Sequence, residues 1–154
     1  MEGIRPAEQS DADRCHELLR AALAATAGHR GAALLLAATP DLAQPETLFE
    51  QWLTDGHVRV FVGTYDEVVV GLGAGRVVQL GDYPVGRIEC LFVEPDARSV
   101  GVGEAIVDGL VHWFASKGCT DVDAVALPGD RSSKQLLESA GFRARLLVLH
   151  RPLD

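Results

Sequence analysis

A stretch near residue 100 carries residue types that are suited to binding an anion. After Pro95 the chain contains Arg98, Gly101 and Gly103 in the spacing R-x-x-G-x-G, just before an apolar stripe of helical period. A helix that begins here presents unbonded N–H groups and its positive dipole end, and glycines permit close backbone approach. Together with an arginine, these groups suit a phosphate or pyrophosphate. A strand-to-helix turn that merely requires glycine would give the same two glycines, so the pattern leaves both interpretations open.

Two better-known phosphate loops do not fit this stretch. The chain has no G-K-[ST] triplet, which the P-loop of nucleotide hydrolases requires. A dinucleotide-binding loop needs a third glycine three residues after Gly103, and Ile106 stands there.

Composition limits the class of protein. The 154 residues predict a single domain, 1–154. With 14 Lys and Arg against 22 Asp and Glu, the net charge is −8, which argues against a nucleic-acid partner and against an anionic membrane. The longest apolar run, 32–38, is far shorter than a membrane span. A cationic substrate is compatible with this charge, although most acidic proteins are acidic only for solubility.

Cysteine and histidine spacing indicates neither disulfides nor a metal site. The three cysteines are Cys15, Cys90 and Cys119, and no two form a C-x-x-C pair. Free thiols predict a reducing, cytoplasmic setting. The five histidines show no H-E-x-x-H spacing, so no metal is expected.

Hydrophobic periodicity predicts an α+β fold with a mixed sheet. Helices are expected at 11–27, 45–56, 104–117 and 131–140, while 30–38 fits either a helix or an apolar loop. Strands are expected at 4–7, 58–65, 68–80, 85–93, 122–127 and 142–150. An antiparallel meander followed by crossover units gives a central, mostly antiparallel sheet flanked by helices.

The R-x-x-G-x-G stretch, in this place between a strand and a helix, resembles the acyl-CoA motif of the GNAT family, the Gcn5-related N-acetyltransferases. Gly141-Phe142 resembles the end of the family's second motif. Three positions depart from that motif: Asp130 stands where asparagine is usual, Ser133 where alanine is common, and Leu137 where a tyrosine often serves as general acid.

The resemblance implies how acetyl-CoA would bind. A bulge in the strand 85–93 would leave main-chain groups free to bond pantetheine, and N–H groups of the following loop would hold the pyrophosphate. Asp130 and Ser133 would lie near the thiol end or the pantetheine arm. The cofactor-binding residues implied in the strand and loop are Leu91, Phe92, Val93, Arg98, Ser99, Val100, Gly101, Val102, Gly103 and Glu104.

Transfer to an amine needs a base. An amine of pKa about 10.4 is neutral about once in 2,500 molecules at pH 7, a deficit of about 4.6 kcal/mol. Strands of this family often carry a glutamate where Glu89 stands, so Glu89 is the predicted base. The alternative is a structural glutamate, paired for instance with Arg87 two residues away on the same face.

Other roles are assigned with less support from the residues. With Leu137 in the tyrosine position the usual proton donor is missing, and Tyr83 is the candidate general acid, unless coenzyme A takes its proton from water. His29 and Arg30 lie in the loop between the first two helices, where enzymes of the family often contact the acceptor, so both are candidate substrate contacts.

The implied function is acetyl-CoA-dependent transfer of an acetyl group directly to a primary amine of a small molecule or protein, without a metal. The departures at Asp130 and Leu137 leave open an acyl-CoA-binding domain with little or no turnover. A third alternative, acetylation of charged tRNA, conflicts with the −8 charge. The apolar run 146–149 could pair between subunits and form a homodimer.

Overall fold

The computed structural model describes residues 1–153, and its centre is one five-stranded sheet. The strands lie in the order β1-β2-β3-β4-β5, antiparallel throughout except that β4 and β5 are parallel. This confirms the predicted mixed, mostly antiparallel sheet. The strands are β1 Glu2–Pro6, β2 Val58–Tyr65, β3 Val68–Leu80, β4 Tyr83–Val93 and β5 Asp121–Ala124.

Helices cover both faces of the sheet. Alternate residues of β2 face opposite sides, so Val60 and Val62 pack in a core with α1 and α3, while Phe61 packs against α4. The segment 30–38, which the sequence left undecided, forms a helix from residue 32 onwards. The helices are α1 Ala12–Ala27, α2 Ala32–Ala38, α3 Pro45–Thr54, α4 Val102–Ser116 and α5 Arg131–Ser139.

Helix α4 packs unusually close to the sheet because glycines replace side chains beneath it. A Cβ atom placed on Gly73 would lie 2.4 Å from Ile106 Cγ2, and one on Gly75 or Gly86 would lie 2.4 Å from the Phe114 ring. These separations are shorter than van der Waals contact, so any side chain there would displace α4. The glycines of β3 therefore allow α4 to pack directly on the strand. The candidate anion site lies at the first turn of α4.

Strand β4 contains a bulge at Glu89. Ala74 of β3 pairs with Cys90 and Gly75 pairs with Ile88, which leaves Glu89 as the extra residue. The bulge reverses the alternation of side chains: Ile88 packs towards α4 before it, and Cys90 packs with the α1 and α3 core after it. Glu89 thus turns towards α3 at the point where the strand bends.

The predicted strand at 142–150 is wrong. The Phe142 N–H donates to the Leu137 carbonyl and closes α5, and residues 142–153 then follow no regular secondary structure. The Arg145 guanidinium pairs with Asp123 of β5 through bonds of 2.8 and 2.5 Å, but the apolar residues beyond it leave the sheet. The apolar pattern predicts a strand there, but no strand among residues 1–153 pairs with this segment.

Within residues 1–153, every helix is too short or too polar to cross a lipid bilayer.

The start of α1 is fixed by a buried carboxylate. Asp11 accepts two bonds of 2.8 Å from Arg5 and one of 2.8 Å from the Glu8 N–H, and only 8% of its side chain is exposed. The hydrogen bond from Arg5 lowers the pKa of Asp11, against the opposing effect of burial. A carboxyl group whose pKa is lowered by folding stabilises the folded state when the pH is above the ordinary carboxyl pKa, near 3.9. This stabilisation is lost as the pH falls through the lowered pKa.

Asp11→Asn should therefore lower the free energy of unfolding at pH 7 by about 1–3 kcal/mol. The expected loss is smaller than for a fully buried ion pair, because water screens the half-exposed Arg5. Urea unfolding at pH 7 and at about pH 2 tests this, since the variant and the wild type should converge only when the pH falls below the depressed pKa of Asp11. An equal difference at both pH values would contradict the assigned role of the carboxylate charge.

Candidate functional site

The sheet opens between β4 and β5. Strand β5 pairs only with 85–88 of β4, whereas β4 continues to Val93. Among residues 1–153, no strand therefore pairs with the edge of β4 that runs from Glu89 to Val93 and faces away from β3. Helix α4 begins beyond the end of this open edge.

Two residues of β4 aim their main-chain groups into the opening. The Glu94 N–H donates to the Val70 carbonyl of β3, and hydrogen-bonded and non-bonded pairs alternate along an antiparallel ladder. By this alternation Phe92 bonds to β3, while Leu91 and Val93 point their N–H and C=O groups away from it. An extended ligand can bond to such an edge as an additional strand would.

A loop with unbonded N–H groups lies at the end of this edge. Ser99 has φ +71° and Gly101 has φ +88°, and the first bond of α4 runs from the Ala105 N–H to the Gly101 carbonyl. Among the described residues, nothing accepts a hydrogen bond from the N–H groups of 99–104, although Val102 and Gly103 are buried. Successive N–H groups in left- and right-handed turns form a concave anion site. The loop, which includes Val100 and Glu104, can therefore hold a pyrophosphate.

Arg98 fastens this loop to the strand before it. Its Nε donates to the Val93 carbonyl at 3.0 Å, and its guanidinium lies 5.7 Å from the Phe92 ring centroid. The Val93 carbonyl is thus already bonded, which leaves the Leu91 groups and the Val93 N–H facing the opening.

Glu89 lies where β4 and β5 separate, in contact with two other side chains. Its Oε1 accepts from Arg76 Nε at 2.5 Å, and its Oε2 accepts from Trp52 Nε1 at 3.2 Å. Its side chain is 23% exposed. Each carboxylate oxygen can accept a further bond, so Glu89 can also bind a water or an ammonium group.

Arg76 links Glu89 to a second carboxylate. Its Nη1 donates to Asp55 Oδ2 at 2.7 Å. Burial lowers the pKa of Arg76, but the hydrogen bonds to Asp55 and Glu89 outweigh this effect and raise it. The His57 N–H and then Arg76 lower the pKa of Asp55. Two carboxylates around one guanidinium leave this cluster with one net negative charge.

Sequence reasoning missed this cluster. It named Arg87 as a possible partner of Glu89, whereas Arg76, which faces Arg87 across the β3–β4 ladder, makes the contact. A lone arginine within the apolar and glycine-rich β3 was the available signal. Trp52 gave none, because its position in an apolar helical stripe predicts only a core residue.

The loops beyond the opening bring two sets of predicted residues together. A Cβ on Gly129 would lie 3.2 Å from His29 Nδ1, so the α1–α2 loop lies against the β5–α5 loop. Arg30 is exposed beside His29. In the second loop, Asp130 accepts from the Ser133 N–H at 3.1 Å and caps α5. The two residues therefore have a local structural role whether or not they contact a ligand.

The predicted general acid, Tyr83, does not lie near Glu89, and the position where a tyrosine is usual in the family holds Leu137. Tyr83 begins β4, is 64% exposed and lies six residues of extended chain, about 20 Å, before Glu89. Leu137 is buried between α4 and α5. Burial also raises the pKa of the neighbouring Cys90 thiol to about 12, so this thiol stays protonated.

In the part of the chain that the structure describes, no three side chains of His, Cys, Asp or Glu come together as metal ligands would.

Comparison with known proteins supplies the family. Residues 15–142 match the model of the acetyltransferase (GNAT) family. The chain belongs to this family. The chain is 26% identical over 100 residues to aminoglycoside N(6')-acetyltransferase type 1 from Salmonella typhimurium. The alignment covers 60% of this chain and 68% of that protein. A 64-residue match, 38% identical, covers 42% of the chain and 42% of glucosamine 6-phosphate N-acetyltransferase from Trypanosoma brucei brucei.

A solved structure of a GNAT relative shows the same fold. AAC(6')-Iy, in complex with a bisubstrate analogue of coenzyme A and acetylneamine, superposes with a TM-score of 0.75 at 20% identity, over 100% of this chain and 99% of that one. The chain is thus a GNAT-type N-acetyltransferase that binds acetyl-CoA and transfers its acetyl group to an amine. This confirms the function implied by the R-x-x-G-x-G stretch.

Proposed function

We propose that the open edge of β4 and the loop 99–104 hold acetyl-CoA, that Glu89 is the base, and that the acceptor is a small cationic amine. One observation carries the proposal: the unbonded N–H groups of 99–104 lie at the end of a strand edge that has no partner. One domain, 1–154, would contain all these parts.

The residues present fit the co-substrate. The N–H groups of the loop suit a pyrophosphate, and Arg98 adds positive charge beside it. The main-chain groups of Leu91 and Val93 that face the opening suit the amides of pantetheine, as in strand addition. When bound there, acetyl-CoA supplies an acetyl thioester. Three further residues would give this site its shape rather than bond the co-substrate through free groups. Phe92 packs in the core, and the Ser133 N–H already donates to Asp130.

Glu89 would remove the proton of the amine, directly or through a water. Trp52 and Arg76 fix its carboxylate by one bond to each oxygen, and the side chain is still partly exposed. The Leu91 N–H, the open-edge donor nearer to Glu89, is the candidate to stabilise the charge that develops on the thioester oxygen, which leaves the Leu91 carbonyl and the Val93 N–H for pantetheine. The chain places no proton donor at Leu137, and a thiol of pKa near 8.5 leaves without one. Tyr83 is not part of this proposal.

The acceptor would enter past the α1–α2 loop, where His29 and Arg30 are candidate contacts. The relative from Salmonella typhimurium is named for aminoglycosides, which carry several amines, and the relative from Trypanosoma brucei brucei for a phosphorylated amino sugar. Net charge of −8 and the surplus carboxylate of the Asp55–Arg76–Glu89 cluster favour the cationic class. The three free thiols support a reducing, cytoplasmic compartment.

Coenzyme A release, followed with a thiol reagent, tests the acceptor class. An aminoglycoside, glucosamine 6-phosphate and a peptide with a free N-terminus are compared at equal concentration. We expect the aminoglycoside to give the highest kcat/KM. Higher kcat/KM with the peptide or the phosphorylated sugar would contradict the cationic small-molecule assignment.

Acetyl-CoA alone should also raise the melting temperature. At 100 times Kd, ligand binding stabilises a protein by about 2.7 kcal/mol, which is about 5–11 °C for a chain of this length. Thermal unfolding with and without millimolar acetyl-CoA measures this shift. No shift would contradict the co-substrate site.

A further inference from the structure

A cleft lies where β1 ends, between the last turns of α3 and α4. Its volume is about 270 Å³, and both tryptophans of the chain line it. Among residues 1–153, no acidic side chain lines this cleft. We call it the indole cleft, and its lining includes Trp52, Leu53, Val58, Arg59, Trp113 and Lys117.

Two positive charges flank one indole of the cleft. Arg59 Cζ lies 5.8 Å and Lys117 Nζ lies 5.9 Å from the centroid of the Trp113 ring. Within the described chain, 1–153, neither cation forms an ion pair with a carboxylate. The acid nearest to Arg59 in the sequence, Asp55, is bonded to Arg76 instead. Two cations that share one cleft without a carboxylate attract an anion, even in a chain of net charge −8.

The rest of the lining is apolar. Leu53, Val58 and Val60 form an aliphatic wall beside the two indoles. Pockets for drug-sized ligands measure about 300–1,000 Å³, so this cleft suits a smaller molecule. Aromatic rings pack favourably against indoles in offset or edge-to-face contact. An occupant that matches the whole lining therefore has a flat apolar body and one negatively charged end.

We propose that the indole cleft binds a small aromatic carboxylate. The carboxylate accepts charge-assisted hydrogen bonds from Arg59 and Lys117. The ring packs against Trp113 and the aliphatic wall. A neutral ring lacks the group that the cations bind, and an inorganic anion lacks the body that the apolar wall covers.

The indole cleft is separate from the acetyl-CoA site but shares a side chain with the candidate base. The loop 99–104 lies at the start of α4 and Trp113 lies in its last turn, so the two anion sites are about 20 Å apart along the helix. Trp52 lines the cleft and also donates through Nε1 to Glu89. An occupant of the cleft therefore lies against the side chain that holds Glu89.

Tryptophan fluorescence tests the binding, because both tryptophans line the cleft. The ligand is benzoate, compared with benzyl alcohol, benzylamine and inorganic phosphate. Benzoate should change the fluorescence in a saturable way, and the other three should bind about tenfold more weakly or not at all, since each lacks the charge or the ring. No saturable change with benzoate, or equal affinity for any of the other three, would overturn the proposal.

A matched pair of double variants tests the two cations. Arg59→Gln/Lys117→Gln removes both charges of the cleft, and Arg143→Gln/Arg151→Gln removes two exposed charges elsewhere. The first should raise Kd for benzoate about tenfold or more, and the second should leave it unchanged. Equal affinity of the two double variants would contradict the assigned role of Arg59 and Lys117.

Nuclear magnetic resonance of the isotope-labelled wild type locates the ligand without any variant. Benzoate should shift the Trp113 indole N–H and the amides of 58–60, and should leave those of 99–104 in place. Shifts at 99–104 without shifts at the cleft would show that benzoate binds at the acetyl-CoA loop and would overturn the proposal.

Discussion

Replacement of Glu89 by glutamine is expected to lower kcat by about a hundredfold or more, the usual contribution of a general base. Glutamine keeps the shape of the side chain, and its single oxygen can still accept from Arg76, but its amide nitrogen cannot accept from Trp52 and the side chain cannot take a proton. Because the co-substrate would contact the main chain of β4 and the loop 99–104, KM for acetyl-CoA should change little. Steady-state kinetics with saturating amine give both constants.

The matched control is Glu138→Gln on α5, where the carboxylate is exposed and pairs only with Lys134. It should have the kinetic constants of wild type. Urea unfolding of both variants separates catalysis from stability, since Glu89 is also part of an ion-paired cluster. A kcat for Glu89→Gln within about threefold of wild type would contradict its role as base.

Replacement of Gly101 by valine is expected to raise KM for acetyl-CoA by tenfold or more. Gly101 has φ +88°, a conformation that costs a β-branched residue more than about 1–2 kcal/mol. Its Cβ would also lie 3.4 Å from Cγ of Glu2, which limits how the added methyl groups can be placed. The loop would relieve this strain by turning its peptide groups, and the N–H groups of 99–104 would no longer converge.

Gly118→Val is the control because it adds the same backbone strain away from the site. Gly118 ends α4 with φ +79°, and a Cβ there meets nothing within 4 Å. Both variants should lose similar stability, while only Gly101→Val should weaken acetyl-CoA binding, measured by titration calorimetry. Equal affinity of the two variants for acetyl-CoA would show that the loop does not hold the pyrophosphate.

Local patterns in the sequence predict the parts of this molecule that depend on neighbouring residues. The R-x-x-G-x-G spacing marks the loop where the structure has unbonded N–H groups, and the periodicity of α1 and α4 predicts both helices closely. The resemblance also predicts a bulge in β4, and the structure has this bulge at Glu89. Each of these features is set by a few adjacent residues.

Features that need two distant segments were harder to predict. The contact of Glu89 with Arg76 depends on the β3–β4 register, and the role of Trp52 depends on how α3 crosses the sheet. The glycines of β3 gave no sign of the helix packed on them, because the side chains that fill the space beside Gly73 and Gly75, those of Ile106 and Phe114, are about 30–40 residues away in the chain. The strand 142–150 was wrong for the same reason: its apolar residues predict a strand but not where its partner lies.

Departures from the family pattern do not remove the chemistry. The Asp130 side chain caps α5 by accepting a hydrogen bond from the Ser133 N–H. Leu137 packs in the core between α4 and α5. Neither position supplies a proton, so the enzyme would depend on Glu89 and on the low pKa of the departing thiol. A domain that binds acetyl-CoA without turnover would show no amine-dependent release of coenzyme A.

A crystal structure of the protein with acetyl-CoA tests the central claim most directly. We expect the pyrophosphate within hydrogen-bond distance of the N–H groups of 99–104, the pantetheine along Leu91 and Val93, and the acetyl carbon near Glu89. Acetyl-CoA bound elsewhere, or a pyrophosphate that makes no contact with those N–H groups, would contradict the account.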